Sequence, residues 1–251
     1  MSTIQGNLSN RRVLETELKK IVTIIQARMG STRFPGKMMA DLHGQPLVEW
    51  VIRRCKDATR VDEVVLSTSR FARDDPLAAV ALECDVQLSR GPEEDVLTRF
   101  ALAATLASAD IVVRVCGDRP LVDPGWTDMA IEYYQSDHSI DLAYNHIESE
   151  TQAWPRGFGV EVFSADLLRK MDQNETSDYA REHVTPGIWD NQDRYRVVAV
   201  PCPPGLPKGC RLDVDTREDL DEVRVHTQGV SMDVDANTVL ASWSAANPNI
   251  A

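Results

Sequence analysis

Apolar residues in this chain fall into short dense runs, separated by longer stretches of helical spacing. Ile21 to Ile25 (IVTII) is a run of β-favouring residues with the character of a buried central strand. Glu63 to Ser67 (EVVLS) and Ile111 to Val115 (IVVRV) repeat it, the second as continuous as strands covered on both faces. A shorter strand is expected near Val86 to Leu88. Between these runs lie helical faces. Leu47, Val48, Val51, Ile52 and Cys55 share one after Gln45-Pro46, and Leu77, Val80 and Ala81 share another after Asp75-Pro76. A long helix opened by Pro92 carries Val96, Leu97, Phe100, Ala104 and Ala107 inward. This alternation predicts a doubly wound, mostly parallel α/β sheet that binds ligands at the C-terminal ends of its strands.

The second half is less regular. Leu142 to Tyr144 and Val160 to Phe163 read as strands, Ala165 to Met171 and Asp178 to Trp189 as helices. Tyr195 to Val200 is a strand ended by PCPPGLPKG, and Arg211 to Val214 a last short one. Thr216 begins a helix with Asp219 placed for a capping-box contact. A small antiparallel lobe is expected here. Residues 1–19 form a polar extension, 20–228 the main domain, and 229–251 a small-residue tail expected to be loosely held.

Composition narrows the function. In 251 residues the formal net charge is −12, which argues against nucleic acid or an anionic membrane as partner. A nucleotide needs only a local basic pocket. No apolar run reaches membrane-spanning length, and the N-terminus has no apolar signal core, so a cytoplasmic protein is expected. The five cysteines are odd in number and form no CxxC pair, so neither a zinc site nor a disulfide framework is expected.

Local basicity is found after the first strand. Between Glu17 and Asp41 there is no carboxylate, while RMGSTRFPGK interleaves Arg28, Arg33 and Lys37 with Gly30, Ser31, Thr32, Pro35 and Gly36. Small residues bring backbone N–H groups close to a ligand, and guanidinium forks match phosphate oxygens, so the loop reads as a polyphosphate cradle. It has neither Walker nor GxGxxG spacing. Two carboxylate sites complement it. Asp118, in CGDRPLVDP, follows a buried strand and is placed to hold Mg²⁺ against phosphates. Asp213 and Asp215, in DVDTREDL, would share one face of a short strand and repel each other unless a cation stands near them.

These stretches together resemble the cytidylyltransferases of the spore-coat-polysaccharide SpsF-like type, which are related to the CMP-Kdo and CMP-sialic acid synthetases. RMGSTRFPGK matches their signature loop, CGD their strand-end GD motif, and DVDTREDL their VDTPEDL segment. RGPEEDVLTRF, WPRGFGVEVFS and YAREHVTPGIW match three further segments in order, between Ile21 and Val225. The resemblance implies a nucleotide-diphospho-sugar transferase fold, CTP and a small acidic acceptor as ligands, Mg²⁺ as cofactor, and a homodimer. It places Gln26, Ala27, Arg28, Met29, Gly30, Ser31, Arg33, Lys37, Asp95, Arg99 and Arg114 at the nucleotide. Arg28, Lys37, Asp118 and Asp215 are the implied catalytic set, with Asp118 and Asp215 on the metal and Asp213 as an auxiliary ligand. Arg156, Glu161, Arg181, Glu182 and His183 fall to the acceptor, His183 also being compatible with a structural role. The chain departs from the pattern at Arg217, where proline is usual, at Asp213, at Gly159 in place of an acid and at Gly187 in place of an aromatic. The implied reaction transfers CMP from CTP to an acidic sugar or a phosphorylated or phosphonate compound, with release of pyrophosphate. An A-type glycosyltransferase and a non-catalytic nucleotide-binding protein remain compatible with these residues. The late position of DVD in the chain argues against the former.

Overall fold

The structure, a computed structural model, describes residues 19–147 and 154–249. The expected N-terminal extension therefore lies, Lys19 aside, outside the described residues. Among the described residues the first elements are β1 (Ile21–Gln26), then β2 (Asp41–Leu42) and β3 (Gln45–Pro46), the last two pairing as a small antiparallel sheet. α1 (Leu47–Lys56), β4 (Glu63–Ser69), α2 (Asp75–Glu83), β5 (Gln87–Gly91), α3 (Val96–Leu106) and β6 (Ile111–Cys116) complete the alternating half. α4 (Pro124–Ser136), β7 (Leu142–Tyr144), β8 (Glu161–Ser164), α5 (Ala165–Asn174), α6 (Asp178–His183) and α7 (Pro186–Trp189) follow. β9 (Val197–Ala199), α8 (Arg217–His226) and α9 (Ala236–Ala246) are the last elements among the described residues.

One seven-stranded sheet runs in the order β5-β4-β1-β6-β8-β7-β9. β1 pairs in parallel with both β4 and β6, and β4 with β5, as the apolar runs require when helices cover both faces. β8 joins antiparallel to β6 and β7, so the second half extends the same sheet. Alternation along each strand divides the core. Ile21, Ile25, Val113 and Val115 face α1, α2, α4, α8 and α9; Val22, Ile24 and Val112 face α3 and α5. The chain leaves β1 for β4 and β5 on one side, then returns to β6 on the other. A crevice opens at this switch point, at the C-terminal ends of β1 and β6.

Several boundaries differ from expectation. α3 starts at Val96 rather than Pro92, because the Asp95 side chain caps it by accepting from the Thr98 N–H at 3.0 Å. The helix expected over Asp178 to Trp189 is two helices. They are broken at Val184, whose φ of 71° and ψ of −58°, with Thr185 N–H donating to the His183 carbonyl at 2.9 Å, form a positive-φ γ-turn. A buried β-branched residue there stores strain of about 1–3 kcal/mol. Arg211 to Val214 is not a strand but an isolated bridge, Arg211 to Arg156, so the argument for Asp213 and Asp215 sharing a face does not hold. The described part of the segment after Gly229, residues 230–249, is not loosely held. Arg54, 1% exposed, donates to the carbonyls of Val122, Met232 and Val234, and Asp123 accepts from Ala236 N–H, seating α9 with Val239, Leu240 and Trp243 buried. Small residues in the segment concealed this anchoring, because the clamp comes from Arg54 far upstream.

Replacing Arg54 leaves three carbonyls and Asp123 without their buried cation, so Arg54→Leu is expected to lower unfolding free energy by about 3–5 kcal/mol in a urea titration. Arg53→Leu, on the exposed side of the same helix, should cost less than about 1 kcal/mol. Equal effects would contradict the clamp.

Candidate active site

At the switch point Gln26 and Cys116 are cross-strand neighbours, and the loops after them part. Gly117 makes the parting tight: its N–H donates to the Gln26 carbonyl at 2.8 Å, and a Cβ there would lie 2.8 Å from that oxygen. The loops wall a cleft of about 400 Å³ lined by Gln26, Ala27, Arg28, Gly30, Ser31, Thr32, Arg33, Lys37, Met38, Val96, Arg99, Arg114, Cys116, Gly117, Asp118, Glu182, His183 and Asp215. The loop after β1 is held from below by Asp74, which accepts from Met29 N–H at 2.8 Å, Thr68 hydroxyl at 3.0 Å and Ser69 N–H at 3.1 Å. Burial alone would raise the Asp74 pKa; these hydrogen bonds bring it below its usual value.

Lys37 is the pivot. Its buried ammonium donates to the Val214 carbonyl at 2.7 Å and lies 3.3 Å from Asp215 Oδ1 and 3.7 Å from Asp118 Oδ2. Val214 N–H donates to the Asp118 carbonyl at 2.8 Å, fastening the two acidic segments together. Asp215 also meets Arg33 at 3.0 Å and Arg211 at 3.2 Å. The expected capping box is present, and Asp219 Oδ2 further accepts from Asp215 and Thr216 N–H at 2.8 Å each. On the opposite wall Arg28 donates to Glu182 at 3.2 Å, while His183 lines the cleft with its ring 4.5 Å from that of Tyr179.

Arg114 reaches the cleft from β6 with Glu161 behind it. They are partners across β6 and β8, joined at 2.6 Å. Glu161 also accepts from the Trp189 Nε1–H at 3.0 Å and the Thr185 hydroxyl at 3.2 Å. Burial would raise its pKa, but Arg114 and these donors hold it at about 2. Glu161 thus stands as the Arg114 counter-ion, outside the cleft lining. Asp95 and Arg181, assigned to different ligands, pair with each other at 2.8 Å, and Arg181 also meets Asp172 at 2.9 Å. Asp213 accepts from Arg156 and Arg211, both at 2.8 Å, so its two oxygens are occupied.

Arg156 and Asp213 line a second cleft of about 360 Å³ with Arg119, His146, Ile147 and Gly157. It adjoins the first across the backbone of 118–119 and 213–215. Arg119 donates to the Gly159 carbonyl at 2.7 Å. Gly159 replaces the acid of the family pattern for a steric reason: a Cβ there would lie 2.1 Å from the Asn145 carbonyl oxygen. His146 is kept neutral; burial, then Arg119, push its pKa down to about 3. Nothing in the sequence pattern marked Asp74, Arg119 or His146, which gain their roles from partners distant in the chain.

Two carboxylates drawn to one cation suit Mg²⁺, which takes one or two protein carboxylates and fills its other positions with water and phosphate. Asp118 and Asp215 fit that donor set; among the described residues no group of three or more His, Cys, Asp and Glu is arranged to hold a metal by itself.

A doubly wound sheet carrying a basic loop and paired acids at its switch point belongs to the nucleotidyltransferase class. A family profile described as cytidylyltransferase matches residues 22–229, and the chain belongs to that family. It is 32% identical over 242 residues to the spore coat polysaccharide biosynthesis protein SpsF of Bacillus subtilis (strain 168), covering 93% of this chain and 98% of that one. It is 40% identical over 126 residues to the 3-deoxy-manno-octulosonate cytidylyltransferase of Geobacter metallireducens, about half of each chain (49% and 48%). A cytidylyltransferase structure from Leptospira borgpetersenii serovar Hardjo-bovis superposes with a TM-score of 0.84 at 28% identity, covering 92% of this chain and 96% of that one. Among the described residues no helix is long and apolar enough to cross a membrane.

Restoring an acid at Gly159 should fail: Gly159→Asp is expected to destabilise by at least about 2 kcal/mol in thermal melts, and an unchanged melt would contradict the close approach to Asn145. The pKa of His146 is lower folded (about 3) than unfolded (6.5), so the unfolded chain takes up the proton first. Stability should therefore fall as pH drops from about 6.5 toward 3, and His146→Gln should flatten that slope. An equal slope in the variant would place the titration elsewhere.

Proposed function

We propose that this protein transfers the CMP unit of CTP to a small acidic acceptor, an acidic sugar or a phosphorylated or phosphonate compound, with release of pyrophosphate, for surface polysaccharide or glycoconjugate synthesis. The observation that carries this reading is the Lys37 ammonium between Asp118 and Asp215 at the mouth of the switch-point cleft. Arg28, Arg33 and Lys37, with the amides around Gly30 to Thr32, would hold the triphosphate and screen its charge. Each of these cations now rests on an acid, namely Glu182 or the Asp118–Asp215 pair. Phosphate oxygens can replace those acids, leaving Asp118 and Asp215 to hold Mg²⁺. Bound there, Mg²⁺ would supply positive charge to the phosphates and to the departing pyrophosphate.

The second cleft supports an acidic acceptor. Arg119 and Arg156 outnumber Asp213 there, and His146 adds no charge of its own. Asp118 and Asp215 line the first cleft, and their chain neighbours Arg119 and Asp213 line this one. An acceptor held by its anion in the second cleft would thus present an oxygen to the α-phosphorus in the first. The cytidylyltransferase names of the relatives agree with CTP as donor.

Pyrophosphate release from CTP should require an acceptor drawn from a panel of acidic sugars and phosphonates. Asp215→Asn should slow it by about 10²–10³-fold with the melting temperature preserved, since one preorganised electrostatic contact is removed. Unchanged turnover would overturn the metal assignment. Lys37→Ala should weaken CTP binding by about 10-fold or more, as measured by calorimetry, and equal affinity would count against the cradle.

A further inference from the structure

The loop after β1 meets the segment before α8 at more than the Lys37 pivot. Arg33 pairs with Asp215 at 3.0 Å, and the next residue, Phe34, lies under Arg217, whose Cζ stands 5.0 Å from the centre of the ring. Phe34 is 5% exposed, while Arg217 is exposed and forms no ion pair among the described residues. Two consecutive loop residues are thus clasped by two residues of the other segment, one pair by charge and the other by a cation on an aromatic face. Arg217 stands where the family pattern has proline. Proline at the first helical position stiffens the turn, but its ring stays close to the backbone; arginine reaches across to the loop.

Both partners are built into rigid pieces of the site. Phe34 N–H donates to Ser31 Oγ at 3.2 Å and its carbonyl accepts from Lys37 N–H at 3.1 Å, so the ring moves with the turn that carries Lys37. Arg217 is the first residue of α8, whose capping box, through Asp219, also holds the Asp215 N–H. The stack therefore sets the span between the basic loop and Asp215. The ion pairs across the same span differ in kind. Lys37 and Arg33 can be drawn to phosphate, and Asp215 to a metal. The stack draws on neither acid, so it outlasts that exchange.

We propose that Arg217 is a positioning residue for the metal-bound nucleotide: stacked on Phe34, it keeps the segment of Asp215 on the basic loop when the Arg33 and Lys37 pairs open. This rests on the nucleotide and metal reading of the cleft and adds the contact that preserves its geometry during the exchange. In this role Arg217 touches neither phosphate nor metal. Its effect belongs to the bridged state, in which one metal reaches both an aspartate on one segment and phosphate oxygens held by the other. A span that drifts weakens that bridge alone. A triphosphate held by the loop without metal makes no demand on the span.

Calorimetry with CTP, in Mg²⁺ and in EDTA, tests it on the wild-type protein and on Arg217→Gln, an exposed substitution that leaves the fold intact. The variant should bind CTP about 2- to 5-fold more weakly in Mg²⁺, the range of an exposed cation–aromatic contact, with its affinity in EDTA unchanged. An equal loss in both conditions overturns the proposal, because it makes Arg217 a direct phosphate contact. Unchanged affinity in both conditions overturns it too. In a Phe34→Leu background the same substitution should cost nothing further in Mg²⁺, since the ring it acts through is gone, and a full loss there overturns the proposal. If the wild type binds no CTP, the nucleotide reading fails; if it binds CTP equally in Mg²⁺ and in EDTA, the metal reading fails. Either result removes the proposal with it, and both are distinct from a wild-type Mg²⁺ advantage that Arg217→Gln retains in full.

Discussion

One ammonium gathers the site. Lys37 comes from the loop after β1, Asp118 from the end of β6, and Asp215 from the segment before α8. Its 2.7 Å bond to the Val214 carbonyl fixes the last of these, and the Val214–Asp118 backbone bond closes the triangle. Without a buried cation the two carboxylates would repel across a partly desolvated cleft. With it, acids from two remote parts of the chain stand together in the lining of one cleft.

The same device recurs across the cleft. Arg28 rests on Glu182 and Arg114 on Glu161, so basic groups suited to phosphate are kept soluble and ordered by acids that a ligand can displace or that stay behind as supports. The distinction follows burial. Glu182 is exposed at the cleft wall, whereas Glu161 is enclosed by Arg114, Thr185 and Trp189 and serves to aim its partner. Strain contributes as well: the positive-φ turn at Val184 directly follows Glu182 and His183 and places the Thr185 hydroxyl on Glu161.

The parallel half of the fold was legible because strands buried on both faces must be apolar throughout, as IVTII, EVVLS and IVVRV are. The basic loop that lines the cleft was legible because an acid-free window is conspicuous in a chain of net charge −12. What escaped was pairing over distance. Asp95 and Arg181 each look like ligand contacts along the sequence, yet they face each other. Asp213 and Asp215 sit on different clefts because the segment is held by single backbone bonds, to Arg156 and to Asp118, rather than by a strand ladder. The anchoring of α9 depends on Arg54, which lies among ordinary helical cations in RRCK and carries no local mark of its role. Gly159, a departure from the family pattern, proves to be demanded by the Asn145 backbone.

The most direct test of the account is a calorimetric titration of the wild-type protein with CTP, in the presence of Mg²⁺ and in EDTA. If Asp118 and Asp215 exchange Lys37 for a metal as the triphosphate enters, CTP should bind with Mg²⁺ at least about 10-fold more tightly than without it. Equal affinity in the two conditions would mean that the paired carboxylates serve only to hold Lys37, and would contradict the central claim.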